Sequence, residues 1–274
     1  MVATASSARL VFDVGFHKGE DSEFYLKKGF RVVAVEANPA LHAAGRERFA
    51  ASIHSGQLTL VHAAVAGSDG PVPFFLNARV SEWGTISKDW AERNAELGAA
   101  SEQVAVPGMR FERLLEEFGV PYYLKIDIEG ADLLCLEALR AFASRPAHLS
   151  IESNKTSWRD LVKEFRLLCE LGYRRFKVVS QEGVSSQVCP APAREGGYVQ
   201  HRFVRGSTGA FGEEAPGAWL SERQALGRYR RIFLNYRLFG DDGWFTERSL
   251  RLPLVWRLIK HLPRCDWYDT HAAL

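Results

Sequence analysis

The sequence lacks the features that mark membrane, secreted or nucleic-acid-binding proteins. No apolar run approaches the roughly 18 residues needed to span a bilayer, and the first ten residues contain no apolar segment of a secretion signal. The formal net charge is only +2, which gives no reason to expect nucleic acid as a partner. We therefore expect a cytoplasmic protein without a targeting or transmembrane segment.

Cysteine pairs at metal-ligand or redox spacing are also absent. The four cysteines are far apart, form no C-x-x-C pair and have no histidine at ligand spacing: Cys135, Cys169, Cys189 and Cys265. Such thiols are typical of a reduced compartment and argue against a disulfide framework or a zinc site. The chain also has no internal repeat or low-complexity linker, and its 274 residues suffice for one large domain or two small ones.

A strand, a glycine turn and a helix are present near the start of the chain. Apolar residues 10–12 lead into Asp13, Gly15 and Gly19, and the helix that follows ends at Lys27-Lys28-Gly29. Lysines suit the negative end of a helix dipole, and glycine accepts the left-handed conformation that ends a helix. This pattern predicts the first half of a βαβ unit.

A second buried strand, residues 31–35, completes the unit and ends in Glu36. Asn38 and Pro39 then begin the next helix as N-cap and first helical residue. Glu36 follows Asp13 by 23 residues, a spacing at which an acid accepts the hydroxyls of a ribose. The unit therefore predicts a nucleoside cofactor, with a tight turn that binds nothing as the alternative.

The glycine pattern distinguishes two nucleoside cofactors. Dinucleotide enzymes carry G-x-G-x-x-G, whereas Gly15 and Gly19 form G-x-x-x-G and acids Glu20 and Asp21 open the helix. Carboxylates at a helix N-terminus would repel a pyrophosphate. They suit the cationic sulfonium and ammonium groups of S-adenosylmethionine, which we predict as the cofactor.

Strands and helices alternate through the next hundred residues, which favours a doubly wound α/β domain with a mainly parallel sheet. Ligands bind beyond the carboxyl ends of such strands, so Asp13, Glu36, Asp127 and Glu152 should cluster there. Trp83 and Trp90 belong to a surface helix with aromatic anchors, or to a lid or acceptor wall. The predicted strands after the second are residues 58–65, 72–76, 122–126 and 148–152, then GYRRFKVV and YVQHRFV, the last of them a candidate antiparallel strand.

The last third of the chain has a different composition. Long loops rich in Gly, Pro, Ser and Glu precede a helix that begins with a capping box of Ser221 and Gln224. From Glu222 to Arg264, ten Lys and Arg residues face four Asp and Glu. This excess is either a solvated basic face or a surface for an anionic acceptor or a lipid. We predict a cofactor-binding domain over residues 1–206 and a loop and helical extension over residues 207–274, packed on the same domain.

Three motifs in this order resemble the FkbM family of S-adenosylmethionine-dependent methyltransferases: DVGFHKGEDSEFYLKKG, VVAVEANP and YLKIDIEGAD. The resemblance covers approximately residues 11–154. It implies a class I methyltransferase fold, with a seven-stranded sheet whose last strand is antiparallel, and O-methylation of sugars or natural-product scaffolds. It also implies that Asp13, Gly15 and Gly19 form the cofactor loop, that Glu36 binds the ribose beside Asn38, and that Asp127 is the acid after the fourth strand.

The predicted site residues follow from these motifs. Candidates for the general base are Asp127, Glu129, His271, His201 and Asp269; Asp127 could instead bind the ammonium group of the cofactor. Asp127 and Glu152 could supply two carboxylates to a divalent metal, although no metal is predicted. The predicted cofactor-binding residues are Asp13, Gly15, Phe16, His17, Gly19, Asp21, Glu36, Ala37, Asn38, Ala64 and Asp127.

The sequence leaves three functions open. The first is an O-methyltransferase for a small hydroxylated acceptor, which could be anionic or lipid-linked, with S-adenosylhomocysteine as the second product. The second is a nicotinamide-dependent oxidoreductase, which the glycine pattern and the acidic helix start disfavour. The third is a non-catalytic module that binds the cofactor or recruits a partner through the basic C-terminal helices.

Overall fold

The computed structural model describes residues 9–77, 79, 83–96, 98–154, 157–239 and 267–274. The part of the predicted basic stretch that follows residue 239, and Cys265, lie outside these residues. The strands are β1 (Leu10–Val14), β2 (Arg31–Glu36), β3 (Leu58–His62), β4 (Ala64–Val65), β5 (Gly70–Asn77), β6 (Ser101–Met109), β7 (Tyr123–Ile126), β8 (His148–Glu152), β9 (Arg175–Ser180) and β10 (Tyr268–Ala273). The α-helices are α1 (Glu20–Lys27), α2 (Pro39–Arg48), α3 (Ala50–His54), α4 (Lys88–Glu96), α5 (Phe111–Phe118), α6 (Asp132–Leu139), α7 (Trp158–Glu170) and α8 (Glu222–Phe239).

Seven strands form the main sheet in the order β3-β2-β1-β7-β8-β10-β9. The pairs among β3, β2, β1, β7 and β8 are parallel, whereas β10 is antiparallel to both β8 and β9. This confirms the predicted doubly wound, mainly parallel sheet with an antiparallel last strand. The chain order reverses between β1 and β7, and a ligand is expected in the crevice beyond their carboxyl ends.

Burial on both faces explains why the central strands are apolar. In β1, Leu10, Phe12 and Val14 face the core formed with α5, α6 and α7, while Val11 faces the core formed with α1. Successive strand residues point to opposite faces, so a strand covered on both sides needs a continuous apolar run. The two helical layers thereby hold β1 and its neighbours rigidly at the edge where the site lies.

Local signals set several helix boundaries as predicted. The Asn38 side chain accepts hydrogen bonds from the N–H groups of Ala40 (2.9 Å) and Leu41 (3.3 Å) at the start of α2. Ser157 caps α7 through the N–H of Asp160 (3.3 Å). These bonds satisfy N–H groups that have no partner inside the helix.

Two predictions about strands were wrong. Residues 198–204 (YVQHRFV) form no strand; they pack against α1 through His201 and Phe203, whose rings contact Phe24. The antiparallel strand is β10, formed by YDTHAA and buried along its whole length. Its central polar residues concealed it, because they do not show the apolar pattern of a buried strand.

The structure contains two features that the sequence did not predict. Strand β6 pairs with β4 and β5 in a separate three-stranded sheet, of which only β5 had been expected as an extra strand. Residues 187–220 contain no long helix or strand, yet they cover α1 with the buried side chains of Phe203 and Phe211. Within the described residues, no helix is long and apolar enough to cross a membrane.

Candidate functional site

A cavity of about 700 Å³ opens at the carboxyl edge of the main sheet. Its walls include the carboxyl ends of β2, β7 and β8, the residues that follow β1, β2, β3, β7 and β9, strand β4, and the start of β10. It therefore lies at the point where the strand order reverses, as expected for an open α/β sheet.

The turn after β1 passes so close to the turn after β7 that only glycine fits. Gly15 has a φ of +98°, and a Cβ atom there would lie 1.9 Å from the carbonyl oxygen of Asp127. Its N–H donates to the carbonyl oxygen of Val35 (3.1 Å), and its own carbonyl accepts from Nζ of Lys125 (2.6 Å). Gly15 thus joins the carboxyl ends of β1, β2 and β7 at the cavity wall.

Gly19 was predicted to bind the cofactor, but it does not line the cavity. It precedes α1, and a Cβ atom there would lie 2.5 Å from the ring of Phe16 and 2.6 Å from the ring of Phe49. Its small size lets the Phe16 ring pack beneath the turn. Phe16 and His17 do line the cavity.

Glu36 is fixed at the end of β2 by backbone donors. Its two carboxylate oxygens accept from the N–H of His17 and the N–H of Asn38, each at 2.7 Å. Burial raises the pKa of Glu36, while these two hydrogen bonds oppose that rise. Each carboxylate oxygen can accept a further hydrogen bond, so the group is oriented to receive two hydroxyls of a ligand.

Small and apolar side chains line the wall beside Glu36. Ala37 and Ala64, both predicted cofactor contacts, lie here with Val65, Phe74 and Ile86. An apolar surface next to a carboxylate that can accept further hydrogen bonds suits the base of a nucleoside.

Asp13 was predicted as a cofactor contact, but it lies beneath the cavity. It is fully buried, accepts from the hydroxyl of Ser22 (2.6 Å) and forms an ion pair with Lys125 (3.1 Å). Asp13 therefore acts on the site through Lys125, because β1 directs its side chain into the protein.

Lys125 is the central cation beneath this part of the cavity. Besides Asp13, its Nζ lies 3.8 Å from a carboxylate oxygen of Asp21 and 3.7 Å from one of Asp127. Burial alone would lower the pKa of Lys125, but the three carboxylates raise it well above its usual value. The sequence contained a signal for this residue, a single lysine inside the otherwise apolar strand β7.

Asp21 connects α1 to the loop that closes one side of the cavity. Both of its carboxylate oxygens lie 3.0 Å from the N–H of Thr208. Burial raises the pKa of Asp21 to about 7, with Lys125 opposing the rise. Sequence reasoning predicted Asp21 but missed the loop 205–208, since nothing in its composition indicates which part of the sheet it covers.

The loop after β7 is held in a fixed conformation. The Asp132 carboxylate accepts from the N–H groups of Ile128 and Gly130, both at 3.0 Å, and the Thr85 hydroxyl donates to the carbonyl oxygen of Glu129 (2.6 Å). Glu129 has a φ of +50°, a strained conformation for a residue with a side chain. Such strain is typical of functional positions.

The carboxylates of Asp127 and Glu129 both line the cavity. Burial raises the pKa of Glu129 well above its usual value, and the negative charges of Glu152 and Asp127 raise it further. Arg93 opposes this rise weakly. Trp90 packs against Gly130, and a Cβ atom added to Gly130 would lie 2.6 Å from the Trp90 ring. Trp83 lines the cavity, whereas Trp90 does not.

Of the other base candidates, only Asp269 lies at the cavity. His271 is 1% exposed, does not line the cavity, and has neither ring nitrogen hydrogen-bonded. Burial lowers its pKa to about 3, so it lies as a neutral ring inside the sheet. His201 packs on Phe24 and Phe203 and is likewise absent from the lining. Asp269 and His271 point to the same face of the sheet, because residues two apart in a strand share a face. His271 does not reach the cavity because it lies two residues further from the cavity edge.

The cavity has a strong surplus of acidic groups. Among the described residues, its lining has two cationic side chains, Lys125 and Arg205, along with His17, against eight acidic side chains: Glu20, Asp21, Glu36, Asp127, Glu129, Glu152, Glu182 and Asp269. A ligand with a pyrophosphate would be repelled, whereas a cationic ligand would be attracted. Within the described residues, no group of three or more His, Cys, Asp and Glu is arranged to hold a metal ion.

Fold and cavity together define a doubly wound α/β protein with a nucleoside-type ligand site at its switch point. The chain matches the Methyltransferase FkbM domain over residues 13–175, more than half of its length. It therefore belongs to the FkbM methyltransferase family, which confirms the resemblance seen in its motifs. No curated protein matches the chain at a significant level.

Solved structures of several methyltransferases resemble the chain distantly. A SAM-dependent methyltransferase from Archaeoglobus fulgidus is 12% identical, with a TM-score of 0.41, over 98% of this chain and 87% of that one. One from Geobacter sulfurreducens, in complex with S-adenosyl-L-homocysteine, is 11% identical, with a TM-score of 0.36, over 97% and 83%. Precorrin-6y C5,15-methyltransferase from Geobacter metallireducens is 16% identical, with a TM-score of 0.36, over 62% of this chain and 66% of that one. These likenesses are too distant to define a function.

Proposed function

We propose that this protein is an S-adenosylmethionine-dependent O-methyltransferase that acts on a hydroxyl of a small acceptor. The family is one of methyltransferases. The observation that best supports S-adenosylmethionine as the cofactor is the combination of Glu36 with the acidic surplus of the cavity. Glu36 would accept the ribose hydroxyls, the wall of Ala37, Ala64 and Phe74 would hold the adenine, and the remaining acids would face the cationic part of the cofactor. The same wall would also accept the adenine of a nicotinamide dinucleotide, but the acidic lining of the cavity would repel its pyrophosphate.

When bound, the cofactor supplies a methyl group already activated by the positive sulfur. The protein's main task is then to hold the acceptor oxygen in line with that methyl group, and alignment can contribute on the order of 7 to 11 kcal/mol. The new oxygen–carbon bond forms as the sulfur–carbon bond breaks, and the hydroxyl proton must leave. A carboxylate near the acceptor is needed to receive it.

Asp127 and Glu129 are the proposed residues for this proton. Glu129 is supported by its burial and raised pKa, since a carboxylate that binds its proton more tightly is a stronger base when ionised. Asp127 lies 3.7 Å from Lys125. Its carboxylate at the cavity wall would also suit the ammonium group of the cofactor.

Calorimetric titration with S-adenosylmethionine, S-adenosylhomocysteine and NADH tests the cofactor. We expect the two sulfur compounds to bind and NADH not to bind, and we expect Glu36→Gln to weaken S-adenosylhomocysteine binding about 10- to 100-fold, because one hydroxyl acceptor is lost. Glu47→Gln, an exposed change on α2, is the matched control. Binding of NADH with no binding of S-adenosylmethionine would reverse the proposal.

A further inference from the structure

Helix α8 is strongly basic, and the proposed function does not use it. It contains five arginines and one acid, Glu222, so its side chains carry a formal charge of +4. Ala225, Tyr229 and Ile232 are buried in the core. Because these three residues share one side of the helix, the opposite side is directed to solvent.

The outer face of α8 consists of Arg223, Gly227, Arg230, Arg231 and Leu234. Their spacings of three, four, seven, eight and eleven positions place them on one side of an α-helix. A Cβ atom added to Gly227 would meet no described atom within 4 Å, and the Leu234 side chain is 59% exposed. The face is therefore open along about 16 Å, the length of eleven residues at 1.5 Å each.

The charge of this outer face is not neutralised within the described part of the chain. Arg223 and Arg231 form no hydrogen bond, ion pair or ring contact with another described residue. The guanidinium of Arg230 lies 5.6 Å from the centre of the Trp158 ring, a contact that leaves its charge in place. Glu222, the acid of the helix, lies beside Cys169 of α7 instead. The outer face thus offers three arginines to an anionic ligand.

Leu234 indicates which kind of anionic ligand fits. The phosphates of a nucleic acid and the carboxylates of an acidic peptide give an exposed leucine nothing apolar to contact, whereas a bilayer offers phosphates and acyl chains side by side. The sequence after α8 combines the same two properties: residues 248–264 contain five Lys and Arg, no Asp or Glu, and the apolar run LPLVW. Clusters of four to eight cations on a helix are typical of binding to anionic lipids.

We propose that the outer face of α8 binds the surface of an anionic lipid bilayer. The three arginines contact lipid phosphates, and Leu234 enters the apolar region just beneath the headgroups. Near the end of the helix, the ring of Phe233 packs 5.4 Å from that of Trp158, which begins α7 shortly after the carboxyl end of β8. The surface therefore extends toward the edge of the sheet where the cavity opens, although binding to lipid does not depend on the proposed function.

Co-sedimentation of the full chain with vesicles at physiological salt tests this proposal. The protein should bind vesicles of phosphatidylcholine mixed with phosphatidylglycerol and not vesicles of phosphatidylcholine alone. The double variant Arg223→Gln/Arg231→Gln should bind about 10- to 30-fold more weakly, and Leu234→Ser about 3- to 10-fold more weakly. The control Arg31→Gln/Arg46→Gln removes the same charge from exposed positions on β2 and α2, near the opposite edge of the sheet from the β9 strand that α8 contacts, and should bind normally.

Three results would overturn the inference: absence of binding to the mixed vesicles, equal binding to both kinds of vesicle, or normal binding by Arg223→Gln/Arg231→Gln. Circular dichroism establishes that each variant is folded. A single-stranded oligonucleotide and polyglutamate test the other anionic ligands. If either binds through the two arginines while vesicles do not, or if Leu234→Ser binds vesicles as tightly as the unmodified protein, the assignment to a lipid surface is wrong.

Discussion

Gly15 occupies a position where a side chain meets both backbone strain and a steric clash. Gly29 provides a matched comparison, since its φ of +87° is similar but no atom lies within 4 Å of an added Cβ. We expect Gly29→Ala to cost about 1–2 kcal/mol of stability, the usual penalty for a left-handed residue. Gly15→Ala should cost clearly more, because its methyl group would displace the loop after β7, and should also abolish cofactor binding.

Urea denaturation of the two variants, together with calorimetric titration of S-adenosylhomocysteine, measures both effects. Gly29→Ala should bind the cofactor product like the unmodified protein. If the two variants were equally stable and bound equally well, the contact between the turns after β1 and β7 would not control the site.

Single residues were predictable where their role is local in the sequence. Gly15, Glu36 and Asn38 were found because a turn, a strand end and a helix start each leave a characteristic spacing. The position of Asp13 beneath the cavity was not predictable. It depends on the ion pair with Lys125, a residue 112 positions away whose partner no local pattern reveals.

At the scale of elements, a buried polar network joins β8, α7, β10 and α8. The Ser153 hydroxyl donates to Glu164 (2.8 Å) and lies 2.5 Å from the hydroxyl oxygen of Thr270, which in turn lies 2.7 Å from that of Tyr229. Burial raises the pKa of Glu164 to about 8, despite the hydrogen bond from Ser153. Burial therefore keeps Glu164 protonated at neutral pH, although the hydrogen bonds of the network oppose this.

Stability should consequently depend on pH through Glu164. The unfolded chain loses this proton near pH 4.5 and the folded chain near pH 8, so the contribution of Glu164 is fully present below pH 4.5 and is lost as the pH rises through 8. Glu164→Gln cannot ionise. Relative to the unmodified protein, its stability should rise between pH 5 and pH 8 by an amount on the order of a few kcal/mol.

Urea midpoints of both proteins at pH 5, 6.5 and 8 measure this difference. Glu137→Gln, an exposed change on α6, is the control and should show a constant difference. The other buried acids titrate in both proteins and cancel in the comparison. A difference for Glu164→Gln that does not change with pH would contradict the assignment.

Element prediction from the sequence succeeded where a strand is apolar and failed where its polar residues are satisfied by tertiary contacts. Strands β1, β2, β7 and β8 were recognised from their apolar runs. In β10, Thr270 belongs to the buried network and Asp269 lines the cavity, so neither signals a strand. Conversely, the alternating residues 198–204 resemble a strand but pack on α1 as an extended loop.

At the scale of the whole molecule, the main sheet unites distant parts of the chain. Strand β10 lies between β8 and β9, pairs with both along residues 268–273, and brings Asp269 to a cavity formed mainly by the first 152 residues. The family match ends at residue 175, so β10 lies outside it. The extension predicted after residue 206 therefore contributes both a strand of the sheet and a wall of the site.

Removing β10 should disrupt the protein as a whole. Deletion of residues 268–274 would leave β8 and β9 with unpaired backbone groups in the interior, each costing about 1–3 kcal/mol. It would also remove the buried hydroxyl of Thr270 from the network with Ser153 and Tyr229. We expect the truncated chain to lose its cooperative thermal transition, whereas deletion of Leu274 alone, a half-exposed residue, should preserve it.

A truncated chain that still unfolds cooperatively and still binds S-adenosylhomocysteine would show that the cavity is complete without β10. Asp269 would then be an addition to a self-sufficient cofactor site.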